Sequence, residues 1–323
     1  MTWLITGGAG YIGSHVVDQF LNAGKKVVVF DSLINGLKSR IDFVNSIHPE
    51  NQAVFIEADI CDTDVISDSI EKYGITGIVH LAALKSVAES VMQPELYMEV
   101  NYLATVALLE IATRHKVTNF IFSSTAAVYR SPDVGNVKET DPTDPISPYG
   151  ESKLLAEGAV NKFLRRPGTR GTSLRFFNVV GTASPELMDN SRENLVPIVI
   201  NKLKDGEPPV IFGVDYQTPD GTCIRDYVDV RDVARAHLLA ADAPSGLPPA
   251  LNIGTGRGRS VREIIDLVLS EADSFVKADE SDRRLGDSAI LIGEVTLAKE
   301  VLNFAAEYSL EDSIHSLFVN GTD

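Results

Sequence analysis

Cysteine is nearly absent from this chain. Cys61 and Cys223 are its only two, too few for a disulfide framework, so the expectation is reduced thiols in a cytoplasmic protein. Positive charge is also scarce: 29 Lys and Arg stand against 45 Asp and Glu, a net charge of −16. That balance argues against nucleic acid or an anionic membrane as partner, because both want a basic face. A small anionic substrate needs only a few local arginines and remains open. No apolar run is long enough to cross a bilayer. No leader is expected ahead of the first strand, which begins almost at Met1. Repeats and low-complexity segments are missing, and no metal is expected.

What is present is glycine in the right places. Residues 2–13 read Thr-Trp-Leu-Ile-Thr-Gly-Gly-Ala-Gly-Tyr-Ile-Gly. Trp3 to Thr6 is a short apolar strand. Gly8, Gly10 and Gly13 fit G-x-G-x-x-G, with Gly7 as a further glycine. Ile12, Val16 and Phe20 then recur at helical spacing with Val17 and Leu21 beside them, and Gly24 stands where a helix stop is expected. Val27 to Phe30 is a buried strand that delivers Asp31 to its carboxyl end. Strand, glycine loop, helix and a second strand ending in an acid form the unit that binds a dinucleotide. Glycines let the backbone approach the pyrophosphate, whose charge suits a helix N-terminus. Asp31 can accept hydrogen bonds from both ribose hydroxyls and repels a 2′-phosphate, which favours NAD over NADP.

With 323 residues the chain can form one large α/β domain or two lobes. A polar loop from Ser32 to Ser39 contains Asn35 and Gly36. Ala53 to Asp59 reads as a third strand, ending in Asp59-Ile60, which could hold an adenine ring; Asp59 as a helix cap before Thr63 is equally compatible. Gly77 to Leu81 is a fourth strand, running into Ala82, Ala83, Leu84 and Lys85. Small residues there let a cofactor lie close, and Lys85 could reach a phosphate or ribose. Pro94 opens a long helix to about His115, apolar on two faces, one of which would need a partner. Asn119 to Ser124 is a fifth strand with Ser123-Ser124-Thr125 at its carboxyl end, where open parallel sheets bind ligands. Arg130 to Ser147 reads as a loop. Ser147-Pro148 is a sound helix start, and Thr172 to Phe177 is a sixth strand. The alternation predicts a doubly wound parallel sheet of Rossmann type over residues 1–177. Residues 178–323 read as a smaller α/β substrate lobe, partly woven back into the first domain. Its helices are expected at Leu195–Lys204, Val230–Ala241, Val261–Ala272 and Leu310–Val319, and its strands at Pro209–Gly213 and Cys223–Val228.

Tyr149 and Lys153 are four apart on a predicted helix and share a face. An ammonium near a phenol stabilises the phenolate and lowers the tyrosine pKa, and a tyrosine so tuned can act as a base. Thr125 is a hydroxyl that could bridge Tyr149 and a substrate.

With Gly7, Gly10, Gly13, Ser124, Thr125, Tyr149 and Lys153 in place, the chain resembles an extended short-chain dehydrogenase/reductase. Within that superfamily it is most similar to UDP-glucose 4-epimerases and related nucleotide-sugar 4-epimerases. The likeness runs over essentially the whole length, through residues 6–15, Leu84 to Ser90, Ser147 to Gly150, Arg175-Phe176-Phe177-Asn178 and Arg225-Asp226-Tyr227. The resemblance implies an NAD-dependent, redox-neutral inversion at C4 of a UDP-hexose through a 4-keto intermediate. Tyr149 would take the proton of the 4-hydroxyl, Lys153 would lower the Tyr149 pKa and bind the nicotinamide ribose, and Thr125 would hydrogen-bond the sugar. The cofactor set it implies is Gly7, Gly10, Tyr11, Ile12, Gly13, Asp31, Asn35, Asp59, Ile60, Leu81, Ala82, Ala83, Lys85, Asn101, Ser123, Tyr149, Lys153 and Phe176. The substrate set is Lys85, Thr125, Tyr149, Asn178, Asn194, Leu195, Phe212, Arg225, Arg284, Asp287 and Leu291, the two arginines suiting a diphosphate. A homodimer through the Pro94 and Tyr149 helices is implied too.

The sequence departs from the family at four places. Arg130 replaces a glycine, Val100 an asparagine, no proline follows Arg284-Leu-Gly-Asp287, and Leu291 stands where tyrosine or a smaller residue is usual. The rival readings are a dehydratase, a simple dehydrogenase and a non-catalytic NAD-binding regulator. A dehydratase would carry an acid pair where Ala126 and Ala127 stand.

Overall fold

A computed structural model describes residues 1–130, 135–244, 246–284 and 287–319. Residues 131–134 of the Arg130–Ser147 loop lie outside them. Seven parallel strands form the main sheet. They are β1 (Thr2–Thr6), β2 (Lys26–Asp31), β3 (Val54–Glu57), β4 (Ile75–His80), β5 (Asn119–Thr125), β6 (Arg170–Phe176) and, after three strands of the second lobe, β10 (Ala250–Ile253). Their spatial order is β10-β6-β5-β4-β1-β2-β3. The order reverses at β1, so a crevice opens between the carboxyl ends of β1 and β4, where such sheets bind ligands.

Both faces of the sheet are buried, and successive residues divide between them. Trp3, Ile5, Val27, Val29 and Ile121 join one core, while Leu4, Val28, Phe30, Phe120 and Phe122 join the other. That division is the two-residue period of a strand. The first face is covered by α1 (Tyr11–Asn22), α2 (Lys38–Ile47), α9 (Val230–Asp242) and α11 (Thr296–Leu302); the second by α3 (Thr63–Tyr73), α6 (Ala104–Arg114) and α7 (Pro148–Leu164). Two further short helices, α4 (Val87–Met92) and α5 (Pro94–Tyr97), pack near α7.

The remaining strands, β7 (Asn178–Val180), β8 (Val210–Phe212), β9 (Ile224–Asp229), β11 (Gly258–Ser260), β12 (Asp279–Ser281) and β13 (Ile290–Leu291), belong to the second lobe. Its helices are α8 (Leu195–Lys204), α10 (Val261–Glu271) and α12 (Leu310–His315). Their apolar sides meet in a core of Val196, Val199, Ile211, Tyr227, Ile264, Val268 and Ile314. Segments from the second half of the chain also meet the first sheet. Helix α9 packs on α1, and β10 extends the first sheet by pairing with β6.

Four expectations need correcting. The helix from Pro94 is not uniform: residues Met98–Leu103 form a π-turn between α5 and α6. The widened turn accompanies a buried Asn101 whose side chain serves a neighbouring loop rather than the helix surface. The last helix stops at His315, four residues short of the expected Val319. The cap position before α3 is held by Asp62, not Asp59; Asp59 instead accepts from the Cys61 N–H at 2.8 Å. The turn helix α2 follows the loop after Asp31 directly, already from Lys38.

Candidate active site

The glycine loop leaves no room for side chains. Gly7 has φ +70°, and a Cβ there would stand 2.7 Å from the Ala82 nitrogen. A Cβ on Gly13 would fall on the Gly7 carbonyl oxygen. The loop is thereby pressed against the β4 end, and α1 starts at once behind it. The first helical bond runs from Ser14 N–H to the Gly10 carbonyl at 3.0 Å. The N–H groups of Tyr11, Ile12 and Gly13 precede that bond, as at any helix N-terminus, and suit an anion.

Asp31 is buried at the β2 end. Oδ2 accepts from Ala9 N–H and Oδ1 from Leu33 N–H, both at 2.9 Å. Burial pushes its carboxyl upward, opposed by these two bonds and the Arg40 guanidinium. A carboxylate has further acceptor capacity on each oxygen, so the same group can take ribose hydroxyls. A cradle that a Cβ would fill, a helix N-terminus and an acid at the next strand end fit an NAD molecule. Asn35 lies exposed on the loop beyond, Asp59 is half-buried and Ile60 buried.

On the other wall, Leu81 N–H donates to the Thr6 carbonyl at 3.1 Å. The Asn101 amide oxygen accepts from Leu84 N–H at 2.8 Å, and its nitrogen donates to the Leu84 carbonyl at 2.9 Å and Ser152 Oγ at 3.1 Å. Asn101 thus ties the Ala82–Lys85 loop to α7 one residue from Lys153. Lys85 is exposed and Phe176 half-buried. The Ser123 hydroxyl donates to His237 Nε2 at 2.7 Å.

The Ser147 hydroxyl caps α7 by accepting from Gly150 N–H at 3.1 Å, and the first turn after it presents Tyr149. The Thr125 hydroxyl accepts from Ala127 N–H at 3.1 Å and lies near enough to the Tyr149 phenol to favour its phenolate. Lys153 is buried with Nζ 4.3 Å above the Phe122 ring. The electrostatics differ from the sequence expectation. Burial pushes the Tyr149 phenol up, with Thr125 opposing. Burial also pushes the Lys153 ammonium down to about 7, with Glu157 opposing. Both groups sit in the same dry wall, and a low dielectric disfavours each charged form.

The second lobe supplies the facing side. Arg225, on β9, donates from Nη1 to the Ile224 carbonyl at 2.9 Å and reaches Asp287 Oδ1 at 3.5 Å. The Arg284 guanidinium lies 4.0 Å over the Phe212 ring. Asn194 donates to Asp189 at 2.6 Å directly before Leu195 opens α8. Asn178 is exposed at the start of β7. Leu291 packs against Ala126, Val128, Tyr129, Val137 and Phe177, so it borders the segment that follows Thr125. Among the described residues no cluster of His, Cys, Asp and Glu is arranged to hold a metal, and no helix is long and apolar enough to cross a membrane.

The model of the NAD dependent epimerase/dehydratase family matches residues 3–254. The chain belongs to that family. It is 38% identical to the UDP-glucose 4-epimerase of Halalkalibacterium halodurans over 97% of this chain and 93% of that one. Its fold is similar to a UDP-glucose 4-epimerase from Bifidobacterium longum solved with NAD+ and UDP, with TM-score 0.91, 30% identity and 98% and 97% of the two chains covered. It is equally similar to one from Stenotrophomonas maltophila with bound NAD and formylated UDP-arabinopyranose: TM-score 0.90, 34% identity, 98% and 97% covered.

Three further side chains brace the site: His80 and Glu157, to which the sequence analysis gave no role, and Tyr11, which stands in its cofactor set. His80 is buried and neutral, its pKa pushed down to about 3 by burial and the Lys153 charge. It accepts from the Thr6 hydroxyl at 2.7 Å and donates to Thr105 at 2.9 Å, while Thr105 donates to the Asn101 carbonyl. His80 therefore joins β1, β4 and the π-turn under the cofactor wall. Its signal in the sequence was a polar residue at the end of an otherwise apolar strand. Tyr11 donates its phenol hydrogen to the Gly181 carbonyl at 2.5 Å, so one side chain of the glycine motif clasps the second lobe. Glu157 pairs with Arg175 behind Lys153; it is the next residue on the Tyr149 and Lys153 face.

Proposed function

We propose that this protein inverts C4 of a UDP-hexose of the UDP-glucose/UDP-galactose type, with NAD as a retained cofactor and no net oxidation. The observation that carries the reading is the gathering of Thr125, Tyr149 and Lys153 on the strand-end wall beside the glycine cradle. Bound NAD supplies a hydride acceptor that can also return the hydride. The chain's own residues do the rest. Tyr149 takes the proton of the sugar 4-hydroxyl and returns it after the 4-keto sugar has turned over. Thr125 holds the sugar oxygen against the phenol. Lys153, one turn along the same helix face, favours the phenolate when protonated; burial alone works against that form, so the charge brought by an oxidised cofactor assists it. Asp31 selects the ribose, and Ala82, Ala83 and Leu81 offer a close, small wall.

Asn178, Asn194, Leu195, Phe212, Arg225, Arg284 and Asp287 are assigned to the UDP moiety, and Leu291 to the sugar. Residues 1–177 with the returning segments 230–253 and 296–304 form the cofactor unit, and the rest of 178–323 holds the nucleotide sugar. A homodimer is supported by the exposure of Val91, Met92, Leu96, Leu103 and Leu155 on α4 to α7 and the π-turn between them. Two free thiols, Cys61 and Cys223, support a cytoplasmic location.

A UDP-hexose carrying deuterium at C4 tests the reading. The label should be kept through epimerisation, with no stoichiometric NADH. Tyr149→Phe should slow turnover by about 10² to 10⁴, the range for general acid–base groups, and leave nucleotide-sugar binding nearly intact. One NADH per sugar would mean a dehydrogenase, a 4-keto-6-deoxy product a dehydratase, and NAD binding with no conversion a regulator; Ala126 and Ala127 speak against the second.

A further inference from the structure

Tyr149, Lys153 and Glu157 follow one another at four-residue steps along α7, so the three share one face. Glu157 is 7% exposed, about as buried as Lys153 at 3%. Its carboxylate is fixed from two strands. The Ser124 hydroxyl donates to Oε1 from β5. Arg175 on β6 forks onto it, Nε to Oε1 at 2.9 Å and Nη2 to Oε2 at 2.6 Å. The guanidinium then continues away from Lys153, donating from Nη1 to the Tyr129 hydroxyl at 2.9 Å and the Glu139 carbonyl at 3.3 Å.

Among the described residues no other carboxylate bears on Lys153. From β5 comes the Phe122 ring. From β4 comes His80, a neutral imidazole. From α5 comes Tyr97, edge-on to Tyr149 with its hydroxyl committed to Glu89 at 2.8 Å. A buried ammonium without a counter-charge gives up its proton. We infer that Glu157 is that counter-charge: it keeps Lys153 protonated, and through Lys153 it holds Tyr149 ready to lose its proton. The direction of the Glu157 effect on the Lys153 pKa agrees. Glu157 touches neither substrate nor cofactor and acts only through Lys153. The inference rests on the reading of Tyr149 and Lys153 as the acid–base pair.

The test uses Glu157→Gln, which keeps the shape and the Ser124 bond. Two quantities are followed against pH: kcat for the UDP-hexose, and the Lys153 titration seen by NMR of protein carrying 13Cε-lysine, assigned by its loss in Lys153→Met. Residues one turn apart on a helix face stand about 6 Å apart at Cβ, and unit charges at such a separation in an effective dielectric constant of about 20 couple by more than one pKa unit. The Lys153 midpoint should therefore fall by about one pH unit or more, and the alkaline limb of kcat should move down with it. Retained NAD should be unchanged. If Glu157 only braces the helix, kcat drops by one factor at every pH while limb and midpoint stay put, and the inference is overturned. Glu157→Gln leaves Arg175 charged in the interior and could unfold the protein. Glu157→Gln with Arg175→Met removes the whole pair, a change that interiors often tolerate. It should still lower the midpoint, by less; an unmoved midpoint there overturns the inference equally. Glu157→Asp keeps the charge and should hold the midpoint, so a shift as large as that of Gln would overturn it too. An alkaline limb that survives Lys153→Met would instead defeat the acid–base reading itself.

Discussion

Leu291 and Arg225 are direct partners in the parallel pairing of β13 with β9. One strand pair thus carries the residue assigned to the sugar beside a residue assigned to the diphosphate. Leu291 turns to Ala126, Val128 and Phe177, while Arg225 turns to Asp287. Leu291→Ala should therefore improve turnover of an N-acetylated UDP-sugar relative to the plain hexose, by opening space near C2. The ratio of the two kcat/KM values checks it; an unchanged ratio would mean that Leu291 does not face the sugar.

The Arg284 guanidinium lies 4.0 Å over the Phe212 ring, and a planar guanidinium stacks on an aromatic face as an ammonium does not. Arg284→Lys should raise KM for the UDP-sugar by about tenfold and leave kcat within about twofold, the pattern for lost uniform binding. An equal loss in kcat and kcat/KM would place Arg284 in the transition state instead.

Three buried histidines make the fold acid-sensitive. Burial pushes His15 down to about 4, His80 to about 3 and His237 to about 4. The unfolded chain takes up these protons near pH 6.5 and the folded chain does not, so the unfolded state binds more protons between these values. Their stabilisation is complete above the unfolded value and is lost as pH falls toward the folded ones. Each should contribute about 1.4 kcal/mol per pH unit within that window. His237 donates from Nδ1 to the Val233 carbonyl and accepts from Ser123, so His237→Gln can keep one of the two bonds. Urea midpoints from pH 4.5 to 7 should show a shallower slope for that variant. The wild-type slope in the variant would show that His237 is protonated in the fold.

Leu103 is 56% exposed and Leu155 39%, on helices that pack side by side. Light scattering at micromolar concentration should give twice the chain mass, and Leu103→Asp with Leu155→Glu should give the single chain. A monomeric wild type would remove the dimer proposal.

The local part of this protein was written in the sequence. The glycine spacing, the acid at the end of the second strand, the Ser147-Pro148 start of α7 and the four-residue step from Tyr149 to Lys153 are short-range patterns. A chain of them specifies a strand, a turn or a helix face without reference to anything distant. Helices α8 and α9 were legible for the same reason, since an apolar stripe at helical spacing needs only one face to bury. Tertiary structure decided what depends on two segments at once. The π-turn at Met98–Leu103 became visible only with Asn101 bonded to Leu84 and Ser152. The sign of the Tyr149 shift followed from burial, which no spacing reveals. Glu157 gained its meaning when β5 and β6 brought Ser124 and Arg175 to its carboxylate, because the field at a buried charge is set by whatever the fold packs around it.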